Sequence, residues 1–258
     1  MIKKITSKDN PFFKQLKKLY TDGAYRRETG LFVVEGEKLV FELLDINWPL
    51  KYLTISESFL ENKPFLAKYQ NLVVLPDNLL KGVSDLVTPP GILVVAQFKT
   101  VPFPWEEDGA FLILDGVQDP GNAGNLLRAA LGFGVRGAIL VPPAVDVFSP
   151  KVIRASAGAS LKLPVLRMSQ DSLIDVLQKN NYPLVLAEAS GGTAIFEYTF
   201  LPKFFLAIGS EGRGISDDLK ALFHHKVYIP MPGAVESLNA ALAGGIIMYE
   251  WAKNRANL

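Results

Sequence analysis

Asn122 and Arg128 stand six residues apart, just after the apolar run Phe111-Leu112-Ile113-Leu114. Glu211 lies inside the glycine-flanked turn Gly209-Ser210-Glu211-Gly212-Arg213-Gly214, which also follows an apolar run. Ser237 and Asn239 come after a third apolar stretch, Val227-Tyr228-Ile229, and a turn, Met231 to Glu236, rich in residues that neither continue a strand nor start a helix. Two amides, a guanidinium, a carboxylate and a hydroxyl can orient a polar group, clamp a phosphate or assist a proton transfer. Arg128 has the planar fork that suits a phosphate, and its guanidinium stays protonated under ordinary conditions. Each residue also has a plain structural reading. Asn122 and Ser237 are good helix N-caps, Gly209 is a turn glycine, Ile229 and Leu238 are core, and Arg128 is an exposed helix arginine.

The three stretches share one design: an apolar strand, a glycine-bearing turn and a helix. Glycine lets backbone approach a ligand closely, and ligands of α/β sheets sit at the strand ends. There is no Walker A pattern, and GSEGRG is not GxGxxG, so a dinucleotide reading has little support. The absence of Cys excludes a disulfide framework and thiolate zinc sites. His224 and His225 are adjacent and face different ways on a helix, so no metal is expected. No apolar run reaches the roughly 18 residues of a membrane-spanning helix, and the first ten residues lack a signal-peptide core. A cytoplasmic protein without a membrane segment is expected.

Together, Asn122 with Arg128, the Gly209–Gly214 turn, and Ile229-Pro230-Met231 leading to Ser237-Leu238-Asn239 resemble the three motifs of the SpoU/TrmH branch of the SPOUT RNA methyltransferases. They occur in order over about Phe111 to Trp251. The resemblance implies S-adenosylmethionine as cofactor. Gly209, Ile229 and Leu238 match the family's cofactor contacts, with Ala187, Pro230 and Met231 as further ones. The reaction implied is methyl transfer to a ribose 2′-hydroxyl, a poor nucleophile until its proton leaves. Arg128 is the implied catalytic residue, as base, as alkoxide stabiliser or as phosphate clamp. Asn122 would orient Arg128 or RNA, Glu211 would accept hydrogen bonds from Asn122 or Arg128, and Ser237 and Asn239 would shape the methyl pocket. Arg154, in PKVIRASAGAS, resembles a further segment that touches RNA. The resemblance also implies a deep trefoil knot, tied from the Gly209–Ser216 and Ile229–Asn239 loops and the last helix, and a homodimer through the C-terminal domain. The implied substrate is ribosomal RNA, 23S rRNA first. Transfer RNA and a non-catalytic RNA-binding protein of the same fold are the alternatives.

Positioning such residues requires a parallel sheet. The short apolar runs at 111–115, 137–141, 164–166, 184–187 and 205–208 predict strands buried on both faces, alternating with helices after Asn122, Ser149-Pro150, Asp171 and Ser237. A doubly wound α/β domain over 110–258 follows. Its last helix carries Ala240, Ala241, Ala243, Gly244 and Gly245, which suit close backbone approach, and Ile246, Ile247, Tyr249 and Trp251, which offer more apolar surface than one sheet face needs. Residues 1–100 read as a separate, smaller α/β domain. Asn10-Pro11 starts a helix through Phe12, Phe13, Leu16 and Leu19. Strands at 31–34, 51–55, 72–75 and 92–97 alternate with helices at 37–44, 57–68 and 77–83, predicting a parallel or mixed sheet covered on both faces. The string at 26–44, RRETGLFVVEGEKLVFELL, resembles the start of a substrate-binding domain similar to kink-turn-binding ribosomal proteins. The proline-rich stretch 101–109 reads as an extended linker.

Net charge is only +1, but it is uneven. Residues 1–27 hold eight basic residues, among them Lys14, Lys17, Lys18, Arg26 and Arg27, against Asp9 and Asp22. From residue 101 onward there are 13 basic and 15 acidic residues. A basic N-terminal arm on a near-neutral body is the expected footprint of phosphate contacts; a solvated helix face is the alternative.

Overall fold

The computed structural model describes residues 2–99, 101–222, 225–233 and 237–256. His224 and the turn residues Ala234, Val235 and Glu236 lie outside the described residues. The chain divides into two compact units, Met1–Thr100 with Phe148–Arg154, and Val101–Val147 with Ala155–Leu258. The segment Phe148–Arg154 therefore lies with the first unit, although its sequence position is in the middle of the second.

The first unit runs β1 (Lys3–Lys4), α1 (Pro11–Thr21), α2 (Gly23–Thr29), β2 (Leu31–Glu35), α3 (Glu37–Asp45), β3 (Leu50–Ser56), α4 (Glu57–Asn62), β4 (Leu72–Leu75), α5 (Asp77–Val83) and β5 (Ile92–Gln97). The sheet order is β1-β4-β3-β5-β2, with β4 parallel to β1 and β3, and β5 antiparallel to β2 and β3. It is the mixed alternative. Asn10 caps α1 by accepting from the Phe12 N–H at 2.9 Å, and Phe12, Phe13, Leu16 and Leu19 pack on Leu31, Val33, Val73, Leu75, Leu93 and Val95. The single helix expected over 57–68 is broken: α4 ends at Asn62 and residues 64–68 form a 3₁₀ turn. Pro64 supplies the reason, because it has no N–H to continue the ladder and its ring disfavours helix in the residue before it.

The second unit contains β6 (Gly109–Asp115), α6 (Pro120–Gly132), β7 (Gly137–Val141), α7 (Pro150–Ala155, all but its last residue grouped with the first unit), α8 (Ala159–Lys162), β8 (Val165–Arg167), α9 (Gln170–Lys179), β9 (Leu184–Ala187), β10 (Thr193–Ala194), β11 (Lys203–Gly209), α10 (Asp217–Lys220), β12 (His225–Tyr228) and α11 (Ala240–Ala256). Among the described residues its seven strands are all parallel, in the order β10-β12-β9-β11-β6-β7-β8. β6 and β11 are central and read as continuous apolar runs, as strands buried on both faces must. One face packs Phe111, Ile113, Phe205 and Ala207 against Leu173 and Leu177 of α9 and Leu219 of α10. On the other, Gly244 of α11 approaches Leu126 of α6 and Ile208 of β11, and Trp251 meets Phe204 edge-on at 5.9 Å.

The stretch expected as an extended linker is not free. Phe103 and Trp105 pack into the core of the second unit, with the Trp105 and Tyr182 rings stacked 6.4 Å apart. Ile247 and Trp251, expected as surplus apolar surface, are buried in their own core. Of the two crowded glycines expected in α11, Gly244 is crowded and Gly245 has open space.

A Cβ on Gly244 collides with the Leu126 methyl, while one on Gly245 meets nothing within 4 Å. Gly245→Ala is therefore expected to stabilise the chain by about 0.5–1 kcal/mol through helix propensity. Gly244→Ala carries the same gain against overpacking of about 1–3 kcal/mol and is expected to destabilise. Denaturant unfolding of the two variants checks the opposite signs.

Candidate active site

The carboxyl end of β11 opens into a turn whose closure requires glycine. A Cβ on Gly209 collides with the Gly214 carbonyl and the Ile215 N–H, and Ser210 and Gly214 exchange backbone hydrogen bonds at 3.2 and 2.8 Å. Asp115, buried at the carboxyl end of β6, accepts from the Ser216 N–H at 2.7 Å and ties the far side of the turn to the sheet. The turn presents Glu211.

Glu211 is gripped from two helices. Asn122 Nδ2 donates to its Oε1 at 2.9 Å, and Asn239 Nδ2 lies 2.7 Å from the same oxygen and 2.8 Å from Asn122 Oδ1. Neither asparagine holds its place in the way the sequence suggests. Asp119, not Asn122, caps α6, accepting from the Asn122 N–H at 2.7 Å. Asn122 thus sits inside the first turn, buried, with its amide available to Glu211. Asn239, not Ser237, caps α11: its Oδ1 accepts from the N–H groups of Ala241 and Leu242 at 3.0 and 3.2 Å. Ser237 lies two residues before the cap and is exposed.

Arg128 is not brought to this cluster. Six residues along an α-helix turn through about 600°, so Arg128 projects from a different face of α6 than Asn122. It is exposed and has no hydrogen-bond or ion-pair partner among the described residues. Within one chain Asn122 therefore does not orient Arg128, and Glu211 does not accept from it.

Beside Glu211 lies a cavity of about 450 Å³. Ala187, Gly209, Ile229, Met231 and Leu238 line it, as do Ser237 and Asn239; Pro230 does not. Ile208, Ile229, Leu238 and Ile247 give it an apolar floor, and Ser210, Glu211, Ser237 and Asn239 a polar edge. A flat heterocycle bearing a polar chain suits both the volume and this division. Among the described residues no group of three or more His, Asp or Glu is arranged to hold a metal ion, and no helix is long and apolar enough to cross a membrane.

The basic candidates of the first unit separate. Lys14, Lys17, Lys18 and Arg27 are exposed on α1 and α2. Arg26 is buried, its guanidinium donating to the Leu19 carbonyl at 2.6 Å, so it presents no charge to a phosphate. Arg154 donates to Asp85 at 2.8 Å and lies 3.8 Å from the buried Glu35 carboxylate, which also accepts from Ser84 at 2.9 Å. Burial pushes the Glu35 carboxyl above the usual carboxylate range, against the lowering effect of Ser84 and Arg154. Arg154 is thus held in an ionic cluster instead of standing free for RNA.

The family model for the SpoU rRNA methylase family matches residues 109–249, more than half of the chain. The chain belongs to this family. A second model, the MRM3-like substrate binding domain, matches residues 10–94. Among relatives of this SpoU methylase, a Synechocystis protein described as an uncharacterised tRNA/rRNA methyltransferase is 34% identical, covering 96% of this chain and 93% of the relative. The 23S rRNA (guanosine(2553)-2′-O)-methyltransferase of Bacillus subtilis is 29% identical, covering 96% and 98%. The crystal structure of an AdoMet-bound rRNA methyltransferase from Sinorhizobium meliloti superposes with a TM-score of 0.85 at 27% identity, covering 99% and 98%.

Among the residues of this SpoU methylase site that escaped the sequence reading are Asp115, Asp119 and the cavity-lining Glu188. Asp115 had a visible signal, an acid ending a fully apolar strand. Asp119-Pro120 had another, since proline favours the first helical position and makes the preceding Asp the cap.

Asn239 both caps α11 and grips Glu211. Asn239→Ser keeps a capping oxygen and loses the amide donor; Asn239→Ala loses both. The Ala variant is expected to be about 1 kcal/mol less stable than the Ser variant, measured by thermal or denaturant unfolding. Equal stabilities remove Asn239 as the cap.

Proposed function

We propose that this SpoU methylase transfers a methyl group from S-adenosylmethionine to a ribose 2′-hydroxyl of ribosomal RNA. The observation that carries the reading is the Glu211 carboxylate, gripped by Asn122 and Asn239 at the edge of the 450 Å³ cavity. The name of the Bacillus relative, a 23S rRNA 2′-O-methyltransferase, and the AdoMet in the Sinorhizobium structure support it. Neither favours transfer RNA or a non-catalytic binder.

When bound, the cofactor supplies a methyl group on a positively charged sulfur that becomes a neutral thioether as the methyl is taken. Ile229 and Leu238, which line the cavity, would hold its adenine, and Gly209 would let backbone approach the ring edge. Glu211 would hold negative charge at the edge of the cofactor cavity, and its second oxygen would be open to the incoming hydroxyl. Ser237 and Asn239 shape the rim. In the same reading the Gly209–Ser216 loop, the stretch from Ile229 to Asn239, of which residues 234–236 lie outside the described residues, and α11 form a trefoil knot.

Arg128 acts on the acceptor, and a second copy of the chain explains its position. Leu131 lies three residues after Arg128, on the same side of α6, and is exposed, as are Leu242 and Tyr249 on the neighbouring α11. These three apolar side chains form the contact of a homodimer through the C-terminal domain, which carries Arg128 to the site of the other copy. Lys14, Lys17, Lys18 and Arg27 on residues 1–100 supply phosphate contacts, supported by the substrate-binding match over 10–94. The protein acts in the cytoplasm.

The reading predicts labelled methyl from S-adenosylmethionine in alkali-resistant dinucleotides of unmodified rRNA; AdoMet binding without such transfer overturns it. Arg128→Ala is expected to abolish transfer with cofactor affinity unchanged. Arg128→Lys separates the roles: a clamp retains partial activity without a new titration, whereas a base gives a rate rising with pH through the lysine's own pKa.

Leu242→Glu with Tyr249→Glu is expected to give a monomer by light scattering at micromolar concentration and to lose activity. A fully active monomer removes the second copy from the site.

A further inference from the structure

The carboxyl edge of the parallel sheet carries a second cavity, of about 440 Å³, on the other side of the Glu211 turn. It lies over the ends of β6 and β7, whereas the first lies over β9, β11 and β12. The two share Gly209, Ser210, Glu211, Gly214 and Ala240 as lining, so they meet at the turn. Asn122, which fixes Glu211, lines only the second; Asn239, which also fixes it, lines only the first.

We infer that the second cavity receives the acceptor nucleotide of the RNA, with Gln118 and Arg213 as the residues that hold it. This rests on the methyl-transfer reading above. Transfer of a methyl between two heavy atoms needs donor, carbon and acceptor in line, so the acceptor must come from the side away from the sulfur. A cavity abutting the cofactor cavity at Glu211 provides that side. Its volume falls within the roughly 300–1,000 Å³ of small-ligand sites.

The chemistry of the lining fits a nucleotide and not a second apolar ligand. Arg213 is exposed and has no hydrogen-bond or ion-pair partner among the described residues, and its fork matches a phosphate. Gln118 is exposed and equally without a partner, with donor and acceptor ready for a base edge. The exposed rings of Pro142 and Pro143 give a flat apolar wall. Gln170 is already engaged, donating to Ser216 at 3.2 Å and to Asp218 at 2.7 Å, and stiffens the far wall. A splayed-out base and its phosphate are what single-stranded RNA presents to such a surface.

The test uses the full-length protein and unmodified rRNA from cells lacking it. Gln118→Ala and Arg213→Ala are each expected to raise the RNA KM about tenfold, the loss of one hydrogen bond to a charged or polar partner, with AdoMet affinity by calorimetry unchanged. A benzophenone side chain in place of Gln118 is expected to crosslink, under light, to the methylated nucleotide or its immediate neighbour. Unchanged KM in both variants, or crosslinks confined to distant nucleotides, overturns the assignment. If the wild-type protein binds AdoMet but methylates no RNA, the function fails instead, and the crosslink still reports whether the cavity takes a nucleotide.

Discussion

A carboxylate held by two amides organises the second unit. Glu211 draws together segments separated by 89 and 28 residues, and Asn122 and Asn239, 117 residues apart, touch each other across it. A carboxylate accepting charge-assisted hydrogen bonds is held more firmly than a neutral pair. Its position nevertheless depends on a turn that only glycine can close at Gly209, and on Asp115, which fixes the Ser216 end of that turn from the neighbouring strand. The sheet register sets this up, because β6 and β11 pair from Lys203↔Gly109 to Gly209↔Asp115 and so end together.

Helix capping supplies the two amides. An N-cap side chain satisfies backbone donors that have no intrahelical partner. At α6 that duty falls to Asp119, which leaves the Asn122 side chain to point at Glu211. At α11 Asn239 does both, its carbonyl oxygen accepting from the helix and its NH₂ reaching the carboxylate. An amide, with its donor and acceptor on separate atoms, can divide its functions in this way, whereas Ser237 sits two residues too early.

Charge in the first unit shows the same separation of residue type from placement. Arg26 and Arg27 are adjacent in sequence, yet one is buried against the Leu19 carbonyl and the other is exposed, since neighbours on a helix point about 100° apart. Arg154 is drawn into the Glu35, Ser84 and Asp85 cluster, where a buried carboxylate needs a nearby cation. The basic footprint is therefore narrower than the sequence count suggests.

Strands and helices were legible from local signals. Apolar runs bounded by glycine and proline marked β6, β7, β9 and β11, continuous burial foretold a parallel sheet, and Asn10-Pro11 marked the start of α1 within one residue. The identities of Asn122, Glu211 and Asn239 as polar residues next to glycine-rich turns were also legible. What the sequence could not decide was which of several competent residues takes each duty. Asp119 and Asn122, or Ser237 and Asn239, are all adequate caps by type, and the choice follows from where the strand ends and at what angle the chain enters the helix. A spacing of six residues on a helix already sets Asn122 and Arg128 on different faces, but it could not tell which partners each meets, since those come from other elements. Those outcomes depend on contacts between segments distant in sequence, which only the packed sheet and its helices bring within hydrogen-bond reach.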